Sequence, residues 1–327
     1  MNLAHLHRLL GPHGLYEHAL YRDPRPEHGY CTDDNARAVV IAAAIDDPLG
    51  HEILDATRDF LEAGFLEAGW RNRMSPEGDW IDGPGPEDSH GRALWALGVL
   101  AASDRLPPML EDKARAAANR PLSALRANVY ALLGITTAVA AGSELFPRTL
   151  VQALVQRLPA PASGVWRWPE PRLTYDNARV PMAWIRAGAA LEDESLLSQG
   201  IELLEWLVEI ETRDAWFSFT PVGGRGPGER GPAFDQQPIE AWAMADACEA
   251  AAQTVGGESW REMARRAVAW FDGLNDVGVP LYDPSTGAGH DGLEPTGVNL
   301  NCGAESTLSA LGAQLVEQRL GSRSERR

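Results

Sequence analysis

Six stretches of small and apolar residues recur along the chain, and six stretches of mixed polarity lie between them. The first set is YCTDDNARAVVIAAA from Tyr30, PEDSHGRALWALGVLAA from Pro86, LSALRANVYALLGITTAVAA from Leu122, TYDNARVPMAWIRAGAAL from Thr174, AFDQQPIEAWAMADACEAA from Ala233 and NCGAESTLSALGAQLVEQ from Asn301. Apolar character on nearly every side, with many Ala and Gly, reads as a buried helix. The second set is NLAHLHRLL, HEILDATRDFLEAG, PPMLEDKARAAAN, PRTLVQALVQRL, ESLLSQGIELLEWLVEIE and SWREMARRAVAWFDGL, with charges at helical spacing. Each of these has one face to bury and one to solvate. Alternation along the whole chain predicts a repeat architecture of helix pairs.

The connections decide which repeat architecture. Links that follow a buried helix are short: DDPLG, ASDRL, GSELF, LEDE and VGGE. Links that precede one are long and rich in Gly, Pro and Trp, for example WRNRMSPEGDWIDGPG and RDAWFSFTPVGGRGPGERGP. A superhelical array keeps its loops alike on both edges. One-sided loops instead predict an all-α (α/α)6 toroid, an inner ring of helices wrapped by an outer one. All long loops then fall on the face where the inner helices start. The expectation is one domain over residues 1–320, with GSRSERR, residues 321–327, as a disordered tail.

Composition removes several function classes. The net charge is −17, and Lys113 is the sole lysine among 29 basic residues. So acidic a chain repels phosphate backbones, which argues against nucleic-acid and anionic-membrane partners. No apolar run is long enough to span a bilayer and no signal peptide is visible, so the cytoplasm is the expected address. The three cysteines Cys31, Cys248 and Cys302 are widely spaced, without CxxC, and neither HExxH nor a paired-His spacing occurs. A disulfide framework, a metal and a cofactor are therefore not expected.

The acids at the helix starts remain. Five of the six buried helices open on carboxylates, so Asp33, Asp34, Glu87, Asp88, Asp176, Asp235 and Glu305 would line one funnel of a toroid. One cap per helix is enough, and this set exceeds that need. Paired carboxylates with divergent pKa values are what glycoside hydrolysis uses. Asp33, Asp34, Asp88, Asp176 and Asp235 are the catalytic candidates. The adjacent pair Asp33 and Asp34 is expected to hold a proton between its members and titrate as a unit. Arg37, Arg92 and Arg179 each follow an acid within one helical turn. They either clamp that acid or position sugar hydroxyls, and both readings stay open. Gln236, Gln237 and Asn177 are hydroxyl partners. The loop tryptophans Trp70, Trp80, Trp166, Trp168 and Trp216 either pin their loops or stack on sugar rings. With Tyr30 and Tyr175, Trp80 and Trp168 are the platform candidates. His28, His90 and His290 fall on the loop-bearing face.

On these residues the chain resembles the six-hairpin glycosidases over nearly its whole length. DDNAR at a helix start is similar to the adjacent-aspartate motif of bacterial endo-α-1,6-mannanases, which implies catalytic roles for Asp33 and Asp34. Arg37 stands where those enzymes tend to carry an aromatic. HGYCTDDNAR together with EDSHGRALWALG resembles a little-characterised bacterial and archaeal group often labelled glycosyltransferase. The present chain has no strand–GxGxxG–helix, so the implied link is association with a glycosyltransferase rather than transfer itself. The histidines resemble those of toroidal sugar 2-epimerases, in which a His pair moves a proton. Three readings follow: a glycoside hydrolase acting on an oligosaccharide or glycan, a sugar epimerase, and a non-catalytic glycan-binding accessory of a glycosyltransferase.

Overall fold

A computed structural model of the chain describes residues 1–67 and 69–324. Twelve α-helices occur among the described residues: α1 Ala4–Arg8, α2 Thr32–Ala42, α3 Pro48–Gly64, α4 Glu87–Ala102, α5 Pro108–Ala118, α6 Leu125–Ala140, α7 Arg148–Val155, α8 Arg179–Leu191, α9 Glu194–Glu211, α10 Pro238–Thr254, α11 Glu258–Ala269 and α12 Ala304–Ser324. The even-numbered helices are the small-residue stretches, and most of their side chains are buried. The odd-numbered ones bury one face; in α3 it is Ile53, Leu54, Thr57, Phe60 and Leu61, at the i, i+3, i+4 spacing of an amphipathic helix. No helix among the described residues is long and apolar enough to cross a membrane.

Two compact units form the chain. One comprises Met1–His5, Ala160–Ala189 and the residues from Glu194 onward; the other comprises Leu6–Pro159 and Ala190–Asp193. In the second, α2 packs on α3 and α4, α4 on α5 and α6, and α6 on α7. Here α2 and α4 each meet the amphipathic helix that follows and the next buried helix. The small residues explain how closely they lie. A Cβ on Gly98 of α4 would come within 2.1 Å of the Gly134 carbonyl oxygen of α6, so only glycine permits this approach. In the other unit α10 is central, packed on α9, α11 and α12.

All paired strands are two or three residues long, and they sit in links that precede a buried helix. Tyr30–Cys31 pairs with Arg73–Met74, and Gly292–Glu294 with Gly297–Asn299. The five links after a buried helix carry none, so the loop asymmetry read from the sequence is present in the fold. One preceding link is an exception in length: only residues 119–124 separate α5 from α6. Several helices are shorter than their patterns, α1 and α8 among them. The Leu10–Gly11/Gly14–Leu15 hairpin replaces the end of α1. TYDN precedes α8 as a turn, with Asp176 in the left-handed region at φ 50°, a conformation Asp tolerates better than most residues. Residues 321–324 of the expected tail continue α12, and 325–327 lie outside the described residues.

Candidate functional site

Asp33 and Asp34 stand in the first turn of α2, yet neither caps it; the cap position is Cys31, whose side chain makes no capping bond. Both carboxylates face arginines. Arg37 Nη1 donates to Asp34 Oδ1 at 2.6 Å, one helical turn along, and both side chains are about 5% exposed or less. Cys31 Sγ donates to Asp34 Oδ2 at 3.2 Å. Asp33 is met from the neighbouring helix, with Arg92 Nε 3.1 Å from its Oδ1. The Arg92 guanidinium also lies 4.1 Å over the Tyr130 ring of α6. The pair expected to share a proton is thus served by two separate guanidinium groups.

The neighbouring acid Glu87 does what no residue of α6 does for itself. Its carboxylate accepts from the backbone N–H of Ser123 at 2.7 Å and of Ala124 at 2.6 Å, and from Ser123 Oγ. Like α8, α6 has no acid in its first turn, and Glu87 of α4 supplies one. Hydrogen bonds from the Ala124 and Ser123 backbone hold the Glu87 carboxyl below its ordinary range. Asp88, the next residue, is half-buried in the same turn.

His90 corrects an expectation. Assigned to the loop-bearing mouth, it is instead 2% exposed, with Nε2 3.2 Å from the Ala117 carbonyl of α5 and its ring edge-on to Trp70. Burial pushes its pKa down to about 4, so it is neutral at pH 7 and packs as a core group. The platform candidates change in the same way. Trp168 is 1% exposed, stacked on Trp206 and bonded through Nε1 to Glu170. Tyr30 is fully buried against Tyr16, and burial raises its phenol pKa. Trp80 is half-buried on Phe60. Trp168 and Tyr30 pin loops, because a face packed against protein is closed to a sugar, while Trp80 keeps part of its surface exposed. Tyr175 is 36% exposed, and His28 is exposed, beside His18.

The other unit holds the second group of acids. Asp176 and Asn177, just before α8, donate their backbone N–H groups to Glu240 in the first turn of α10, and Asn177 Nδ2 adds a bond at 3.1 Å. Arg179 is completely buried, with Nε 3.4 Å from Asp176 Oδ1, Nη1 2.6 Å from Asp246 Oδ2, and its guanidinium 4.3 Å over the Trp242 ring. Burial, with the charges of Glu211 and Asp176, drives Glu240 well above the usual carboxylate range. Glu211, buried and bonded to Thr220, is raised by the same desolvation.

Asp235 is different. It lies three residues before α10, whose N-cap is Gln237, and so is a loop residue rather than a helix-start acid. It packs against the Gly292 backbone, where a Cβ would meet its Oδ1 at 2.2 Å. That oxygen is buried and has no hydrogen-bond partner among the described residues. Burial, then the charges of Glu294 and Asp291, raise its pKa to about 6. Asp291 accepts from Gly303 N–H at 2.7 Å and Ser306 Oγ at 2.5 Å, at the start of α12. Glu294 is exposed, and Glu305 is half-buried in the first turn of α12. Gln236, a hydroxyl-partner candidate, is buried and spends its amide on Asp276 and the Phe219 N–H. His290 Nδ1 lies 3.5 Å from Cys302 Sγ. Asp291, Glu294, Glu240 and Glu211 escaped the sequence reading. Glu240 alone left a signal there, an acid in the first turn of a buried helix.

One set, Glu17, Cys31 and Asp34, brings three metal-ligand atom types within 4.8 Å of one another. Both acids are already ion-paired with Arg73 and Arg37, and burial holds the Cys31 thiol well above its ordinary pKa. Ligation needs the thiolate, so the set is a poor cation site.

No family model matches the chain, and no curated protein matches it either. Solved structures do. A D-mannose isomerase aligns with TM-score 0.73 at 11% identity, over 96% of this chain and 93% of that one. Cellobiose 2-epimerase from Bacillus thermoamylovorans aligns with TM-score 0.72 at 10% identity, over 97% and 96%. A GH76 α-mannanase from Bacteroides thetaiotaomicron aligns with TM-score 0.63 at 12% identity, over 97% and 92%. What the chain shares with these proteins is the (α/α)6 fold, as its helix alternation predicts.

Proposed function

We propose that the protein is a carbohydrate-active enzyme, a glycoside hydrolase in which Asp235 is the proton donor. The observation that carries this reading is the setting of Asp235: a half-buried carboxyl with one oxygen lacking a hydrogen bond among the described residues, its proton affinity raised by two nearby acids. A general acid must still hold its proton near neutral pH, and desolvation plus like charge is the standard way to arrange that. Asp235 would protonate the glycosidic oxygen as the bond to the anomeric carbon breaks. A second, ionised carboxylate then attacks that carbon or activates water. Glu294 is the proposed partner, since its exposed carboxylate faces Asp235 within the same unit and is open to substrate. The fold supports the reading by its company, because the solved structures that share it include a mannanase, an isomerase and an epimerase.

The test is incubation of the purified chain with a panel of oligosaccharides, read by mass spectrometry. Hydrolysis adds one water per bond cleaved and creates a reducing end. An isomerised sugar of unchanged mass would transfer the assignment to an epimerase. Binding without turnover would leave the accessory role beside a glycosyltransferase. On a verified substrate, loss of turnover in Asp33→Asn and Asp34→Asn but not in Asp235→Asn would return the chemistry to the adjacent pair.

A further inference from the structure

Outside the acids, one cluster brings two metal-ligating atoms face to face. His18 and His28 flank the short hairpin that pairs Ala19–Leu20 with Asp23–Pro24. Their Nδ1 atoms lie 2.9 Å apart, the rings are nearly perpendicular at 84°, and both residues are exposed. The backbone holds them there, since Arg25 N–H donates to the His18 carbonyl at 2.9 Å. We propose that His18 and His28 form a two-imidazole site for a divalent transition-metal ion of the copper or nickel type.

The spacing selects the ion. With metal–nitrogen bonds of about 2.0–2.1 Å, ligands 90° apart lie about 2.8–3.0 Å from each other, and tetrahedral ligands about 3.3–3.4 Å. The observed 2.9 Å matches the right-angled bite of square-planar or octahedral ions, and water fills the remaining positions. Cu2+ stands highest in general affinity for such nitrogen sites.

A second observation concerns the opposite ring edge. His18 Nε2 lies 3.9 Å from Glu17 Oε1, a charge contact longer than a hydrogen bond that a small turn of the ring would close, and Glu17 is anchored by Arg73. A metal-bound histidine characteristically turns its other N–H to a carboxylate, which fixes the tautomer and raises ligand basicity. Without an ion, the Nδ1 atoms can share one proton. To bind, each neutral ring must carry its proton on Nε2, and Glu17 favours that tautomer in His18. The shared proton shifts to the other nitrogen of its own ring, so binding releases none from two neutral rings. The ion would staple the base of the hairpin.

The experiment is titration of the tag-free full chain with Cu2+ and with Ni2+, by calorimetry and by electron paramagnetic resonance of the copper complex. The expected result is one ion per chain with two nitrogen donors in the spectrum. Losing an outer-shell partner costs roughly 10–100-fold in affinity, so Glu17→Gln should weaken binding about tenfold and His18→Gln by more. His18 is exposed, and Glu17→Gln keeps the size of a largely buried side chain, so a thermal melt of each variant separates lost binding from lost folding. No saturable binding to the wild type, an unchanged affinity in His18→Gln, or a spectrum without two nitrogens would each overturn the proposal.

Discussion

The acids of α2 and the acid before α10 are the same residue type in opposite surroundings. Asp34 is almost wholly buried, yet Arg37 sits 2.6 Å away on the same helix, and Asp33 has Arg92 across the helix interface. Asp235 is less buried, but it faces Glu294 and Asp291 and has a buried oxygen without a hydrogen bond. Burial alone therefore does not decide how an acid behaves. For Asp235 burial is the larger cause, and the neighbouring anions add to it by penalising the ionised form. The arginines hold the α2 pair in place, while Asp235, without such a partner, keeps its proton to higher pH.

The sharpest way to break this comparison is Asp235→Asn. If Asp235 is the proton donor, turnover on a verified substrate should fall about 10³–10⁴-fold, or roughly 4–5.5 kcal/mol of activation free energy. The melting temperature should hold or rise, since no ion pair is lost. Steady-state kinetics beside a thermal melt would check both halves.

Arg37→Met probes the other side. It strands a buried carboxylate, and loss of about 3–5 kcal/mol of stability is expected in urea unfolding. Adding Asp34→Asn should restore much of it, since the unpaired charge is then gone. A double variant no more stable than the single one would mean that Arg37 acts through its packing instead.

The two regions should also respond to pH with opposite signs. His90 titrates at about 4 in the fold against an ordinary 6.5. The unfolded chain therefore binds the extra proton between those values, and stability is lost as pH falls from 6.5 through 4. The expected loss is about 3 to 3.5 kcal/mol at most, and His90→Gln should flatten that limb. Asp235 titrates at about 6 against 3.8. Here the folded chain binds the extra proton, so stability is lost as pH rises from 3.8 to 6 and is level above. The melting-temperature difference between Asp235→Asn and wild type should grow more positive across that window.

The smallest expected effect belongs to Glu87→Gln, which removes a charge from the start of α6 while keeping most of its hydrogen bonding. About 0.5–1 kcal/mol should be lost, and the loss should shrink in high salt. An effect that ignores salt would make Glu87 a plain hydrogen-bond acceptor.

What the sequence determined by itself was whatever depends on near neighbours along the chain. The alternation of buried and amphipathic helices, the one-sided loops and the reach of Arg37 to Asp34 follow from the local pattern, since i and i+3 share a face in any helix; Arg179 meets Asp176 although the latter lies in a turn before α8. Tertiary structure decided whatever needs a partner far along the chain. Arg92 reached Asp33 on another helix, and Glu87 capped a helix that starts 38 residues later. His90 turned towards the Ala117 carbonyl instead of the loop-bearing mouth. Loop composition announced aromatic rings but not which faces were covered, so Trp168 read as a platform and packs as a pin. Asp235 was legible as an acid near a helix start. Its proton affinity was not, because that depends on Gly292, Glu294 and Asp291, more than fifty residues away in sequence and adjacent only once the chain has folded.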